Sequence, residues 1–553
     1  MVTSTAAKHL TTSKRGLNPW TLSTLLLSAV FLGPILAVFV AATGDSGDLW
    51  AHLFETVLPR YIINTLTLMA GVAVFSLIFG VPTAWIVTRY DFPLRRAIEW
   101  MLLLPAAIPA YLIAYTYTDF LEFAGPVQST LRELFGWEST RDYWFPEIRS
   151  MGGAMLVMGA VLYPYVYMMA RSAFLLTPSS LFEAGQLYKR NMFRGIALPL
   201  ARPAIVAGLS LAMMETISDF GTVEYFAVET LTLGIFNVWL GQNSLPAAAQ
   251  ISCIAFIFII VLIILEKLAR QRRRYTDTSS KAVSLQPEKG TRLQDFSCLV
   301  VCATPIVIGF IIPVGVLLNF VVQGYSLEFS DVVVSATLNT VFLAAAVALL
   351  VLSAAAFMVL VNTYQGSPLL QHLVGLASIG YAFPGTILAI GVVTAGGAID
   401  NQIATMLLSV FGISYEGWLT SGVALIILAC AIRFQAVGYG AMTSGMDRLP
   451  PNMMNASRVL GRSFGESLKA VILPLIRVPF LAGGLLVFID VMKELPMTLL
   501  LRPFNYETLA TYVYQFAKDE LLEEAALPAL IIVSVGILPV IVMNAALNRV
   551  VRR

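Results

Sequence analysis

Few side chains in this sequence could do chemistry. The three histidines, His9, His52 and His372, are far apart. No Gly-Lys dipeptide occurs, so there is no Walker-type phosphate loop. HExxH and CxxC arrangements are also absent, no GxSxG nucleophile elbow is recognised, and nothing supports catalysis by this chain. Work that consumed ATP would need another chain to bind the nucleotide. The four cysteines, Cys253, Cys298, Cys302 and Cys430, sit in apolar context without His or carboxylate neighbours. They read as small buried residues, and neither a metal centre nor a bound cofactor is expected. What remains is two charged clusters. Glu215 and Asp219 are four apart, on one helical face, and Asp490, Lys493 and Glu494 form the second group. Ionisable groups at membrane depth are costly and face a cavity or a partner. These five residues are therefore candidates for lining a polar path or its external gate, with Lys493 paired to a carboxylate across the molecule. The competing reading is that their helices end early and the charges lie in the external interface. Tyr111, Tyr115 and Tyr117 read as part of an aromatic interfacial belt, with path lining as the alternative.

The elements that must position these residues are bilayer-length helices. Of 553 residues, 58% are hydrophobic and 12% charged, against about 25% charged in soluble domains. Nothing in this balance covers a water-exposed surface, and a net charge of +2 gives no argument for nucleic acid. Charge-free stretches run from Gly16–Gly44 to Ala525–Asn548, and the longest, Val332–Ile399, must hold two spans parted near 362–368. Two further spans follow Leu-Pro pairs at 198–199 and 473–474. The total is about twelve helices, an all-α membrane protein. With a cytoplasmic N-terminus, 28 of the 35 Lys/Arg fall on the cytoplasmic side and 24 of the 33 Asp/Glu on the other. Both termini are then cytoplasmic. The first apolar run lacks a small-residue cleavage site and reads as an uncleaved helix.

The chain repeats itself. Asn64-Thr65 recurs as Asn339-Thr340, Pro109 as Pro384, Leu198-Pro199 as Leu473-Pro474, and Asp219 falls on Glu494, all at an offset of 275. Glu229-Thr230-Leu231 recurs as Glu507-Thr508-Leu509 at an offset of 278. Two parallel six-helix halves follow, 1–265 and 296–553, related by a pseudo-two-fold axis along the membrane normal. Residues 266–295 form a basic cytoplasmic linker, whose run at 270–274 anchors the sixth helix or meets lipid headgroups.

Each half also carries a long basic cytoplasmic loop, 178–203 and 449–479. Each reads as a short helix, a glycine break, a second amphipathic helix, and a proline that opens a span. Such a helix needs a partner for its apolar face.

Both loops resemble the EAA motif of permease subunits in binding-protein-dependent ABC importers. In that family the loop is a coupling helix that docks on the ATPase. By position the first copy keeps Glu183 and Ala184, followed by Gly185, with Lys189 where a glycine is expected; Arg194, Leu198 and Pro199 complete it. The second keeps Ala456, Gly461, Leu473 and Pro474, with Asn455 for the glutamate, Ser457 for the second alanine, and Arg462 after the glycine. The first copy is three residues shorter between its Glu position and Leu-Pro.

Across nearly the whole chain the likeness is greatest to fused ferric-iron permeases, carried by 109–128, 214–239 and 490–530. The resemblance implies a type I importer permease with two six-helix halves. It also implies two separate ABC ATPase subunits, a periplasmic or extracellular substrate-binding protein, a plasma (inner) membrane location and alternating access. Fe³⁺ prefers oxygen ligands, so an acidic path mouth fits. Thiamine, polyamine and oxyanion importers share this plan. An ion-gradient-driven carrier is the rival of another class. It needs coupling carboxylates near the midplane, and the clearest mid-span stretches lack charge. A membrane scaffold or channel without energy coupling is the third reading.

Overall fold

The computed structural model describes residues 19–175, 177, 181–182, 187–188, 191–271, 287–324, 330–365, 368–415, 417–447, 449–450 and 452–551. Among them are nine helices long and apolar enough to cross a bilayer, two bent helix pairs of the same character, and a final helix, Ala526–Val551. In chain order the first half has spans 1 (Pro19–Ala42), 2 (Leu58–Arg89), 3 (Arg95–Met101 and Ala110–Leu121), 4 (Met151–Leu175), 5 (Leu198–Ser218) and 6 (Leu245–Gln271). The second half has spans 7 (Arg292–Ile306 and Ile312–Val322), 8 (Asp331–Gln365), 9 (Gly385–Phe411), 10 (Ala424–Met446), 11 (Leu473–Met492) and 12 (Ala526–Val551). The break foreseen near 362–368 lies between the end of span 8 and the short helix Pro368–Ala377.

The repeat seen in the sequence is a repeat of backbone events. Pro109 and Pro384 each precede the first turn of a span, where a missing N–H costs nothing. Spans 5 and 11 both begin at Leu-Pro after a five-residue π turn, Phe193–Ala197 and Leu468–Ile472. The remaining landmarks are partners of one another. Asn64 Nδ2 donates to the Glu229 carbonyl at 3.0 Å, and Asn339 Nδ2 to the Glu507 carbonyl at 3.0 Å. Thr65 Oγ1 accepts from Leu231 N at 3.0 Å, and Thr340 Oγ1 from Leu509 N at 2.8 Å. Thr230 and Thr508 cap the short helices Leu231–Phe236 and Leu509–Lys518. Without water nearby, these N–H groups must find such acceptors, so the pattern survives in both halves.

The halves are interlocked. Span 1 packs on spans 8 and 9 of the second half, and span 7 on spans 2 to 4 of the first. Span 12 reaches back to the 3₁₀ turn Leu104–Ala107 in span 3. Gly391 allows the closest approach of spans 1 and 9, since a Cβ there would collide with the Pro34 carbonyl.

The linker is shorter than 266–295. Span 6 continues to Gln271, and a Thr291/Gln294 capping box starts span 7 at Arg292. Residues 272–286, including Arg272–Arg274, lie outside the described residues. The linker's end is pinned to the first half: Glu288-Lys289 pairs in parallel with Tyr90-Asp91, and Glu288 forms an ion pair with the buried Arg89.

The two hydroxyl clamps make matched predictions. Thr65→Val and Thr340→Val keep side-chain shape but strand a buried N–H, so each should cost about 1–3 kcal/mol. Unfolding of the purified protein in lipid nanodiscs, followed by intrinsic fluorescence, should give losses of similar size for both.

Candidate functional site

Spans 3, 4, 5, 10 and 11, together with Tyr381 of the turn before span 9, enclose a cavity of about 120 Å³ between the halves. All five charged residues singled out from sequence line it: Glu215, Asp219, Asp490, Lys493 and Glu494. Spans 5 and 11 end here, at Ser218 and Met492, and each is followed by a short helix, Gly221–Tyr225 or Pro496–Leu501. The two carboxylates at these ends hold the turn. Asp219 accepts from Thr222 N at 3.0 Å, Thr222 Oγ1 at 3.0 Å and Val223 N at 3.3 Å. Glu494 Oε1 accepts from Met497 N at 3.2 Å. The other pseudo-equivalent pair, Glu215 and Asp490, has less local backbone work and keeps about a fifth of each side chain accessible.

Two expectations about these charges need correction. They do not lie in an external interface: Glu494 is 6% exposed and the group faces an internal cavity. Lys493 does not reach across the pseudo-axis; its ammonium pairs with Asp490 one turn earlier, at 3.0 Å. The crossing is made by Arg433, one of the 28 Lys/Arg that the charge sorting assigns to the cytoplasmic side. Arg433 belongs to span 10 and is 6% exposed. Its guanidinium lies 3.3 Å from Glu494 and 3.9 Å from Glu215 of the other half. The missed signal was that Arg433 directly ends a 16-residue charge-free run, with 13 uncharged residues after it before Asp447.

The tyrosines are corrected as well. Tyr111, Tyr115 and Tyr117 are buried and form no belt. Tyr111 lines the cavity, Tyr115 packs edge-on against Tyr225 at 4.4 Å, and Tyr117 donates to the Ile308 carbonyl at 2.8 Å.

Beyond the cavity, the acid-rich side is tied across the halves. Glu224 of the first half accepts from Tyr514 and meets Lys518 Nζ at 3.3 Å. Arg149 bridges Glu122 at 2.7 Å and Glu520 at 3.1 Å. A second, outer cavity of about 430 Å³ opens beside Arg149, walled by Phe123, Tyr143, Trp144 and Pro146. In the same segment, N–H groups of Glu138 and Ser139 hold the Asp142 carboxyl below the usual range.

Of the first basic loop, Glu183, Ala184, Gly185 and Lys189 lie outside the described residues. Phe182 is buried against Trp85, Arg194 sits in the exposed π turn, and Leu198-Pro199 opens span 5. The second loop follows the sequence expectation closely. Helix Met453–Val459 carries Asn455, Ala456 and Ser457, and Gly461 turns the chain at φ +89, a region that favours glycine. Arg462 follows on the surface, and Ser463 and Glu466 form a capping box for Phe464–Ser467. Ser457 Oγ donates to Ser467 Oγ at 2.9 Å, locking the two short helices together. The first basic loop projects Leu187 and Tyr188, 84% and 82% exposed, and the second Val459 and Leu460, 87% and 84% exposed. Counted from Glu183 and Asn455, these are the same positions.

Among the described residues, no group of three His, Cys, Asp or Glu converges closely enough to cage a metal ion. Cys298 and Cys302 are buried in an apolar cluster with Tyr163 and Tyr167.

The capping geometry separates charge from fold. Asp219→Asn keeps an acceptor for the turn and should cost a few tenths of a kcal/mol, whereas Asp219→Ala should cost about 1 kcal/mol. Unfolding curves of both variants check this.

The profile of the family described as "Binding-protein-dependent transport system inner membrane component" matches residues 76–275 and 359–553, one stretch in each half. The chain is 23% identical over 534 residues to the Fe(3+)-transport system permease protein FbpB 2 of Haemophilus influenzae, covering 95% of this chain and 97% of that one. It is 27% identical over 261 residues to the putative 2-aminoethylphosphonate transport system permease protein PhnU of Salmonella typhimurium, and 27% identical over 259 residues to the sulfate transport system permease protein CysT of the same organism. Those two alignments cover 45% and 44% of this chain but 90% and 89% of the relatives, the extent of a single half. The chain belongs to the family of binding-protein-dependent transport system inner membrane components, with both six-helix halves fused in one polypeptide.

Proposed function

We propose that this chain is the whole membrane pathway of an ATP-driven importer for ferric iron. A soluble binding protein delivers the ion on the acid-rich side, and two separate ATPase subunits act on the basic side. The observation that carries this reading is the central cavity. Its carboxylates come in pseudo-symmetric pairs, Glu215 with Asp490 and Asp219 with Glu494, and it lies where the two matched halves meet. Coverage of the Haemophilus ferric permease from end to end supports the cargo.

Alternating access follows from the contacts. The ties Glu224–Tyr514, Glu224–Lys518 and Arg149–Glu520 close the external side and must break for the path to open outward. The coupling segments supply the force. Val459-Leu460 and Leu187-Tyr188 are apolar pairs held in water, and an ATPase cleft that covers them removes that cost. Nucleotide binding shifts the inward–outward equilibrium only as far as the ATPases hold the loops more tightly in one state. Both termini and the 272–291 linker are then cytoplasmic. An oxyanion cargo is the second reading, favoured by the similarity to sulfate and phosphonate permeases.

Two measurements test this. Val459→Asp with Leu460→Asp should remove permease stimulation of ATP hydrolysis at least about tenfold while membrane insertion is unchanged. Full stimulation by that variant would place ATPase docking elsewhere. In cells, uptake of ⁵⁵Fe³⁺ should require the chain and be blocked by vanadate, whereas uptake abolished by an uncoupler alone would favour a gradient-driven carrier.

A further inference from the structure

The central cavity holds four carboxylates, Glu215, Asp219, Asp490 and Glu494, against two cations, Arg433 and Lys493. The two cations are held differently. Lys493 sits in a short, local pair with Asp490. Arg433 is held by longer contacts: one guanidinium nitrogen lies 3.3 Å and 3.5 Å from the two Glu494 oxygens and the other 3.9 Å from Glu215, without the two parallel bonds a guanidinium makes with a committed partner. Its Nε has no hydrogen-bond partner, nor do Tyr111 Oη and Ser218 Oγ, and all three side chains line the cavity and are more than nine-tenths buried. Unsatisfied polar atoms in so dry a place are costly unless something else visits them. Tyr381 adds a hydroxyl-bearing ring to the cavity wall.

We propose that this cavity is a transit site for a hard metal cation and that Arg433 is its built-in counter-ion, occupying the carboxylates between cargo ions and displaced when one arrives. The proposal rests on the cavity being the translocation path. The excess of carboxylates opposes an oxyanion there and attracts a cation. The scatter of those carboxylates around the wall, with no three converging, gives attraction without a cage. That is what passage requires: binding strong enough to enter and weak enough to leave. An arginine suits the counter-ion role, because it stays charged at every physiological pH and is less strongly hydrated than an ammonium.

The test uses the full-length permease in nanodiscs without ATPase or binding protein, titrated with terbium(III). Terbium is a hard, oxygen-preferring trivalent ion whose emission is sensitised by tyrosines, and Tyr111, Tyr165 and Tyr381 line the cavity. Arg433→Gln should tighten the tyrosine-sensitised titration about tenfold or more by removing a competing charge. Adding Glu215→Gln and Asp490→Asn to it should return the signal to that of surface sites alone. Sulfate and methylphosphonate should compete with neither. Glu215→Gln alone, which leaves Arg433 paired with Glu494, should weaken the wild-type titration and serves if Arg433→Gln does not fold. An unchanged or weaker titration in Arg433→Gln, or a signal indifferent to the carboxylate changes, overturns the proposal. Iron uptake by cells is read separately: intact uptake with an Arg433-insensitive titration removes this inference alone, and the expected titration in a strain that takes up no iron removes the cargo assignment.

Discussion

Everything in this structure must accommodate a set of charges buried between two apolar halves. Taking an ion out of water costs several kcal/mol even after relaxation, and here six ionisable side chains share one cavity. Arg433 comes from span 10 and Glu215 from span 5, so the guanidinium is balanced only if the halves are together. The interlocking of span 1 with the second half and of span 7 with the first answers that need. A fused chain also keeps the two halves in a fixed ratio.

The duplication is close where backbone chemistry dictates it and loose where partners differ. The Asn-Thr clamps on the following Glu-Thr-Leu segments agree within 0.2 Å between halves, because each buried N–H needs an acceptor. The basic loops diverge. Phe464 of the second loop receives Trp20, from the start of span 1, in an edge contact at 5.3 Å. The corresponding region of the first loop is three residues shorter and instead touches Arg89 through Met192, with Arg89 paired to Glu288 of the linker. In each case a residue at or before the start of one half's first span is linked to the other half's basic loop, Trp20 directly and Glu288 through Arg89.

Much of the site was legible in the sequence because charge is rare in it. In a chain with 12% charged residues, clusters at 215–219 and 490–494 stand out, and all five residues reach the cavity. The Pro and Leu-Pro landmarks were legible for a similar reason: proline is favoured at a helix's first turn, where its missing N–H is not needed. Arg433 was not, since an arginine at the end of an apolar run looks like any cytoplasmic anchor. Tyr111, Tyr115 and Tyr117 were misread because tyrosines near a span end suit both an interface and a cavity.

The sequence by itself determined that the protein is a duplicated helical membrane protein and where its spans break. These follow from hydropathy, proline chemistry and charge sorting, all local properties of the chain. Only the tertiary structure decided which charges meet. Lys493 pairs within its own turn, and Arg433 crosses the pseudo-axis, because the distance between spans 5, 10 and 11 is set by packing and not by separation along the chain.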